Sequence, residues 1–206
     1  VGERASGYAI FTDPKAQVAL LGFSGVSPAT ATWQEQLRAQ LLFGLLKTSG
    51  MLKKDKTFYL DAMSTNVAIA RLPFPDRFKM SQITPVPNPP GRLYVISSIM
   101  LPALTKAGLR DTERAARMRV TETALAVERF RRANSNRLPD NLDQLLPAFM
   151  AAVPNDPYGG KSLRYKKREP GYVVYSIGSD ERDDGGMEYD KEVRTAPSDI
   201  TFILDH

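Results

Sequence analysis

Gly171-Tyr172-Val173-Val174-Tyr175-Ser176-Ile177-Gly178-Ser179-Asp180 is the stretch whose reading decides the fold. A short run of aromatic and β-branched residues bounded by glycines reads as a strand with turns at both ends. Two shorter runs flank it, Leu163–Lys166 before and Ile200–Leu204 after, again with turn residues between them. Three such runs close together predict a small antiparallel sheet. Upstream, Leu138 to Leu146 reads as a short helix with Pro139 near its start and Pro147 as its stop.

Further upstream lies a long helical stretch, about Leu93 to Ala133, in which Pro102 and Gly108 are expected to kink or split the helix. Asp111 is placed to cap the later part and Glu113 to favour its positive end. Ala116, Val120, Thr123, Val127 and Phe130 recur on one face, which should pack on the sheet. Met118 and Leu125 fall nearly opposite. A second apolar face predicts contact with helices from residues 31–70, and argues against two freely tumbling domains. At the helix end, Arg129, Arg131 and Arg132 surround Phe130, where cations favourably meet the dipole.

The N-terminal part reads as mainly helical. Thr32 can cap, Glu35 follows three residues later, and Leu37, Leu41, Leu42, Leu45 and Leu46 recur at helical spacing until Gly50. A second helix is expected from about Lys56 to Ala70, and Val18–Phe23 as a strand or short helix. Six of the fifteen prolines then fall within residues 72–90. Proline removes donors and stiffens the backbone, which predicts a connector with Leu72 and Phe74 docked. The expected organisation is residues 1–71 helical, 72–92 proline-rich connector, and 93–206 helix plus sheet, an α+β fold.

The order of elements in residues 111–204 resembles the globular part of the major pseudopilin of the type II secretion system. The residues that carry it are the helix, Leu138-Pro139, Pro154-Asn155-Asp156-Pro157-Tyr158-Gly159, Tyr175-Ser176-Ile177-Gly178-Ser179-Asp180, Gly185-Gly186 and Asp199-Ile200. Each is weak alone; their sequence and spacing make the resemblance specific. It implies a long helix packed on a small antiparallel sheet and a calcium loop. Asp180 and Asp199 fall on the family's carboxylate ligands, and Ile177 and Arg182 would supply backbone oxygens. Glu181 stands where the family has glycine, and the spacer from Gly186 to Asp199 is longer, with 187–198 inserted. Residues 1–110 match nothing in that family.

Read from the residues alone, the same loop is a set of carboxylates, Asp180, Asp183, Asp184 and Asp199, among glycines. Calcium takes six to eight such oxygens, but the spacing is not an EF-hand and an acidic surface turn is the plainer reading. The turn at Asn155–Gly160 is structural, with Pro157 fixing φ, Asp156 bonding forward and Tyr158 packed on the sheet. No Gly-Lys-Ser/Thr follows, so it is not a phosphate loop. Paired acids for glycoside cleavage, Asp183 with Asp184 or Glu188, would need a sugar-sized cleft that nothing specifies.

Composition narrows the function. The chain has no cysteine, and its one histidine is His206. Disulfides, thiolate metal sites and histidine-based triads therefore lack material. The net charge of +5 divides unevenly: residues 176–206 carry nine acids and three bases, and the preceding 175 residues carry a net +11. A basic body attracts anionic surfaces, although no aromatic-interleaved motif of a nucleic-acid reader is present, and no nucleic-acid partner is expected. No apolar run reaches the ~18 residues of a membrane span. The chain begins at Val1 rather than Met, so a preceding segment is expected, and the resemblance implies that it includes a membrane helix. The expectation is a non-enzymatic envelope protein of the periplasm, anchored in the inner membrane by that segment. It would work through protein partners of the envelope or secretion apparatus, with calcium as its one ligand. The alternative is a binding or sensor module, soluble or tethered, that recognises a peptide or glycan.

Overall fold

A computed structural model describes residues 11–12, 32–187 and 199–205. It is α+β; the helices fully within the described residues are α1 (Trp33–Thr48), α2 (Met51–Ala70), α3 (Asp76–Ile83) and α4 (Val95–Ala133). A 3₁₀ turn at Leu142–Leu145 and strands β1 (Arg164–Lys167), β2 (Tyr172–Ser176) and β3 (Ile200–Leu204) follow. The chain forms two compact units, residues 1–71 with 84–107, and residues 72–83 with 108–206. The proline-rich stretch is thus divided between them at 83/84, and residues 84–107 go with residues 1–71. Residues Val18–Phe23, Glu188 and most of the 187–198 spacer lie outside the described residues.

In the first unit, α1 and α2 meet at Gly50, whose φ of 73° is the left-handed conformation expected where Gly50 ends a helix. The second helix begins at Met51, five residues before Lys56, because Gly50 turns the chain directly into it. Phe43, Leu46, Leu52, Tyr59, Met63 and Ile96 form the buried core, with Phe11 tilted against Tyr59. Of the leucines read as one α1 face, only Leu46 is buried; Leu37, Leu41, Leu42 and Leu45 are exposed. The α1 sequence is apolar nearly all round, so periodicity alone could not choose its inner face.

Asp55 of α2 organises this unit. It is fully buried. Its Oδ2 accepts the Ile96 N–H at 2.8 Å and its Oδ1 the Ser97 N–H at 3.1 Å, with the Ser97 hydroxyl donating to Oδ1 as well. Those are first-turn N–H groups of α4, which have no partners inside the helix and sit at its positive end. A side chain from another helix therefore supplies the cap. With its start held at Ile96, α4 runs unbroken to Ala133 with Pro102 inside it, and neither Pro102 nor Gly108 ends it. Asp111 consequently caps nothing. It sits mid-helix and takes an ion pair from Arg77 at 2.7 Å.

In the second unit the sheet order is β1-β2-β3, antiparallel throughout. Tyr165 lies opposite Val174, and Val174 opposite Phe202. Val174 and Tyr172 point into one core with Val120, Ala124 and Val127 of α4, together with Leu142, Leu145 and Leu163. Small side chains at Ala116 and Ala124 let α4 lie close to the strands, and the Tyr172 hydroxyl donates to the Ala124 carbonyl at 3.2 Å. Val127 is buried as the pattern predicts. Phe130 is only half-buried, because its ring stands edge-on to Phe149 near the end of the helix. Arg131 closes that end by pairing with Glu128 at 2.9 Å and with Asn136.

Met118 and Leu125 correct the expectation of a second packed face. They are 73% and 60% exposed, so the outward side of α4 is bare at both positions. The start of the proline-rich stretch, by contrast, is folded onto this unit. Phe78 of α3 is 1% exposed and meets Tyr158 edge-on, with ring centres 4.7 Å apart. Phe74 is half-buried, with the Arg77 and Arg119 guanidinium groups 4.5 and 5.4 Å from its ring centre. Pro75 lies against Gly160, where a Cβ would come within 2.7 Å of its ring. Tyr158 thus has Phe78 as its ring partner, in one buried cluster that also holds Ile177 and packs against Ile200 of β3. Its hydroxyl pKa is pushed up to about 12 by burial, with Glu113 and Asp156 adding to the effect.

Candidate functional site

The loop that leaves β2 and returns at β3 rests on one fully buried carboxylate. Asp156 Oδ1 accepts the Tyr158 N–H at 2.9 Å and the Ser176 hydroxyl at 2.8 Å. Its Oδ2 accepts the Ile177 N–H at 2.9 Å, and the Arg164 guanidinium stands 3.7 Å away. The forward bond to Tyr158 is the one the Asp-Pro turn predicts. The bonds to residues 176 and 177 tie that turn to the mouth of the loop. Burial of this carboxylate is tolerated because three hydrogen-bond donors and the nearby guanidinium charge compensate it.

Arg164 links this node to the loop acids. Its Nε donates to Asp183 Oδ2 at 2.8 Å, while Asp183 Oδ1 accepts the Tyr175 hydroxyl at 3.0 Å and the Gly185 N–H at 3.0 Å. Burial opposes ionisation of Asp183, but the Gly185 N–H, the Tyr175 hydroxyl and Arg164 outweigh it and hold its pKa below the ordinary value. The chain then passes flush over the sheet at Gly186. Its φ is 73°, and a Cβ there would lie 2.7 Å from the Tyr175 ring. Only glycine fits this position.

Asp180 and Asp199 are held differently. Asp180 is exposed, and its Oδ1 accepts the Arg182 N–H at 3.1 Å, which closes a local turn. Glu181 within that turn has a φ of 58°. The left-handed conformation that a glycine would adopt freely is thus kept by a residue for which it costs about 1–2 kcal/mol. Asp199 is 7% exposed. Its Oδ2 accepts the Gly186 N–H at 2.8 Å, whereas its Oδ1 is buried without a hydrogen-bond partner among the described residues. Burial pushes the Asp199 pKa up; the Gly186 and Asp184 N–H groups oppose this, and the Asp184 and Asp183 charges add to it. Ile177 is buried with its N–H on Asp156, and Arg182 is exposed with its N–H on Asp180.

Among the described residues no three acidic or histidine side chains cluster as a ready metal group. The buried, unmatched Asp199 Oδ1 is nevertheless an oxygen of the kind that a hard cation takes. The Asp156–Arg164–Asp183–Tyr175 network was not legible as a unit, since its members are spread over 28 residues of sequence. Its one local signal is Asp183-Asp184-Gly185-Gly186, the composition of a side chain–backbone turn. No family model, no curated protein and no solved structure matches the chain.

Proposed function

We propose that this chain is a non-enzymatic structural and interaction protein of the bacterial cell envelope. Its second unit would be a module like that of the type II secretion major pseudopilin, and a calcium ion would set its loop. The observation that carries this reading is the loop's construction. A long helix backs a three-stranded antiparallel sheet. The Asp156 turn grips the start of the loop, and Asp199 closes it onto Gly186 beside β3 with one buried oxygen unmatched. Asp180 and Asp199 would hold the ion through their carboxylates, and Ile177 and Arg182 through backbone oxygens. Calcium would neutralise a segment of net negative charge and complete the coordination that Asp199 lacks. The module would then act by presenting a rigid surface to envelope or secretion-apparatus partners, with a membrane segment ahead of Val1.

Titration calorimetry of the chain with calcium, against magnesium as control, tests the reading. One site with a dissociation constant in the micromolar to millimolar range, lost in Asp180→Ala and in Asp199→Ala, supports it. Absence of calcium heat, or equal heat in both variants, refutes it.

A further inference from the structure

The outward face of α4 in the second unit has no part in that loop. Met118 and Leu125 stand bare on it, one heptad or about 10 Å apart along the helix. Arg114, Met118, Thr121, Leu125, Glu128 and Arg132 follow at alternating spacings of four and three residues, the spacing of a straight seam against a second helix. Around Met118 and Leu125, Arg110, Arg114, Arg117, Arg129 and Arg132 are all exposed. Glu122 and Asp111 are the exposed acids beside them, and Asp111 is spent on Arg77 at 2.7 Å, Glu113 on Arg117 at 2.8 Å and the half-buried Glu128 on Arg131. Arg110, Arg114 and Arg132 make no ion pair among the described residues.

We propose that this face docks an acidic amphipathic helix of a partner protein, laid lengthwise along α4. Two aliphatic side chains one heptad apart would pack on Met118 and Leu125, and carboxylates on both flanks would meet the arginines. Charge decides between occupants. A second copy of the same face would set arginines against arginines, a juxtaposition that costs several kcal/mol. A lipid surface wants a broad apolar face, and two apolar side chains among five arginines do not provide one. An acidic helix satisfies both the seam and the charge.

The probe is a fluorescein-labelled synthetic helix about four heptads long, with leucine at the seam positions and glutamate on the flanks. Its binding to the whole 206-residue chain is read by anisotropy. Binding is expected to weaken at least about tenfold in Met118→Glu/Leu125→Glu and in Arg114→Glu/Arg132→Glu, with melting temperatures unchanged. It should also weaken as salt rises from about 50 to about 500 mM. A probe with lysine in place of glutamate should recover binding to the Arg114→Glu/Arg132→Glu variant. Three results overturn the proposal: no binding at about 100 μM probe, equal binding of a probe with serine in place of leucine, or binding to phosphatidylcholine vesicles with about 30% phosphatidylglycerol while the helix is ignored. None of these results bears on calcium at the loop, so the two readings fail separately.

Discussion

Replacing Asp156 by alanine should unfasten the second unit from its centre. The substitution removes hydrogen bonds of 2.9, 2.8 and 2.9 Å to Tyr158, Ser176 and Ile177. It strands two buried backbone N–H groups, and it takes the second acid away from Arg164. Each unmatched buried donor costs about 1–3 kcal/mol, and breaking a buried charged contact costs about 3–5 kcal/mol. Because Arg164 keeps Asp183, that contact is not broken outright; the two stranded N–H groups alone give about 2–6 kcal/mol, and about 4 kcal/mol is the expected loss. For a domain near one hundred residues, each kcal/mol shifts melting by about 4–8 °C, so the midpoint should fall by roughly 15 °C or more. Urea denaturation followed by tyrosine near-ultraviolet dichroism reads this unit, since Tyr158 and Tyr175 lie on either side of the node. Asp156→Asn keeps one acceptor but sets an amide N–H₂ against a donor, and should lose about half as much. A loss below about 1 kcal/mol for the alanine variant, with the denaturant slope unchanged, would show that Asp156 is not what joins the turn to the loop.

Other substitutions probe the remaining contacts. Gly186→Ala should destabilise the second unit by about 1–3 kcal/mol, from overpacking against Tyr175 and a left-handed φ; a neutral effect in urea would mean that the loop does not lie flush on the sheet. Phe78→Ala should cost about 3–5 kcal/mol and expose Arg71–Thr84 to limited proteolysis, whereas Met80→Ala, at an exposed position of the same helix, should do neither. Asp183 has a folded pKa below its unfolded one, so its contribution is present above the unfolded value and fades as pH falls through the folded value. Asp183→Asn should therefore flatten the acid limb of the stability–pH curve below about pH 4, and an unchanged limb would contradict the Arg164 and Tyr175 contacts.

The strands were legible because β-branched and aromatic runs between glycines have few alternative readings; Tyr172–Ser176 and Ile200–Leu204 came out at the bounds expected. The inner face of α4 was legible for a similar reason, with Ala116, Val120, Thr123 and Val127 all buried at helical spacing. Long-range pairing left no such mark. Asp55 sits between Lys54 and Lys56 and reads as surface, yet it caps a helix that starts forty residues later. Phe78 lies in a stretch flanked by prolines, where an eight-residue helix has little room to declare a period. The α1 leucines misled because an apolar helix has no single inward side, and Met118 and Leu125 because an apolar position does not say whether its cover belongs to the same chain. At the candidate site, Asp180 and Asp199 were named from the order of motifs. The unmatched oxygen of Asp199 and the left-handed turn at Glu181 emerged only with the backbone.

Melting of the chain in calcium and in chelator, for the native sequence and for Asp199→Asn, tests the central claim most directly. Burial raises the folded pKa of Asp199 above its unfolded value. Without metal, its ionisation therefore opposes folding, and stability falls as pH rises through the folded value. Bound calcium would reverse that sign and stabilise the native state by mass action, about 2.7 kcal/mol at a hundredfold excess over the dissociation constant. The account predicts that millimolar calcium raises the melting temperature of the native chain at neutral pH. Asp199→Asn should melt higher than the native chain in chelator and gain nothing from calcium. Identical melting of the native chain with and without calcium would contradict it, as would an equal calcium shift in Asp199→Asn.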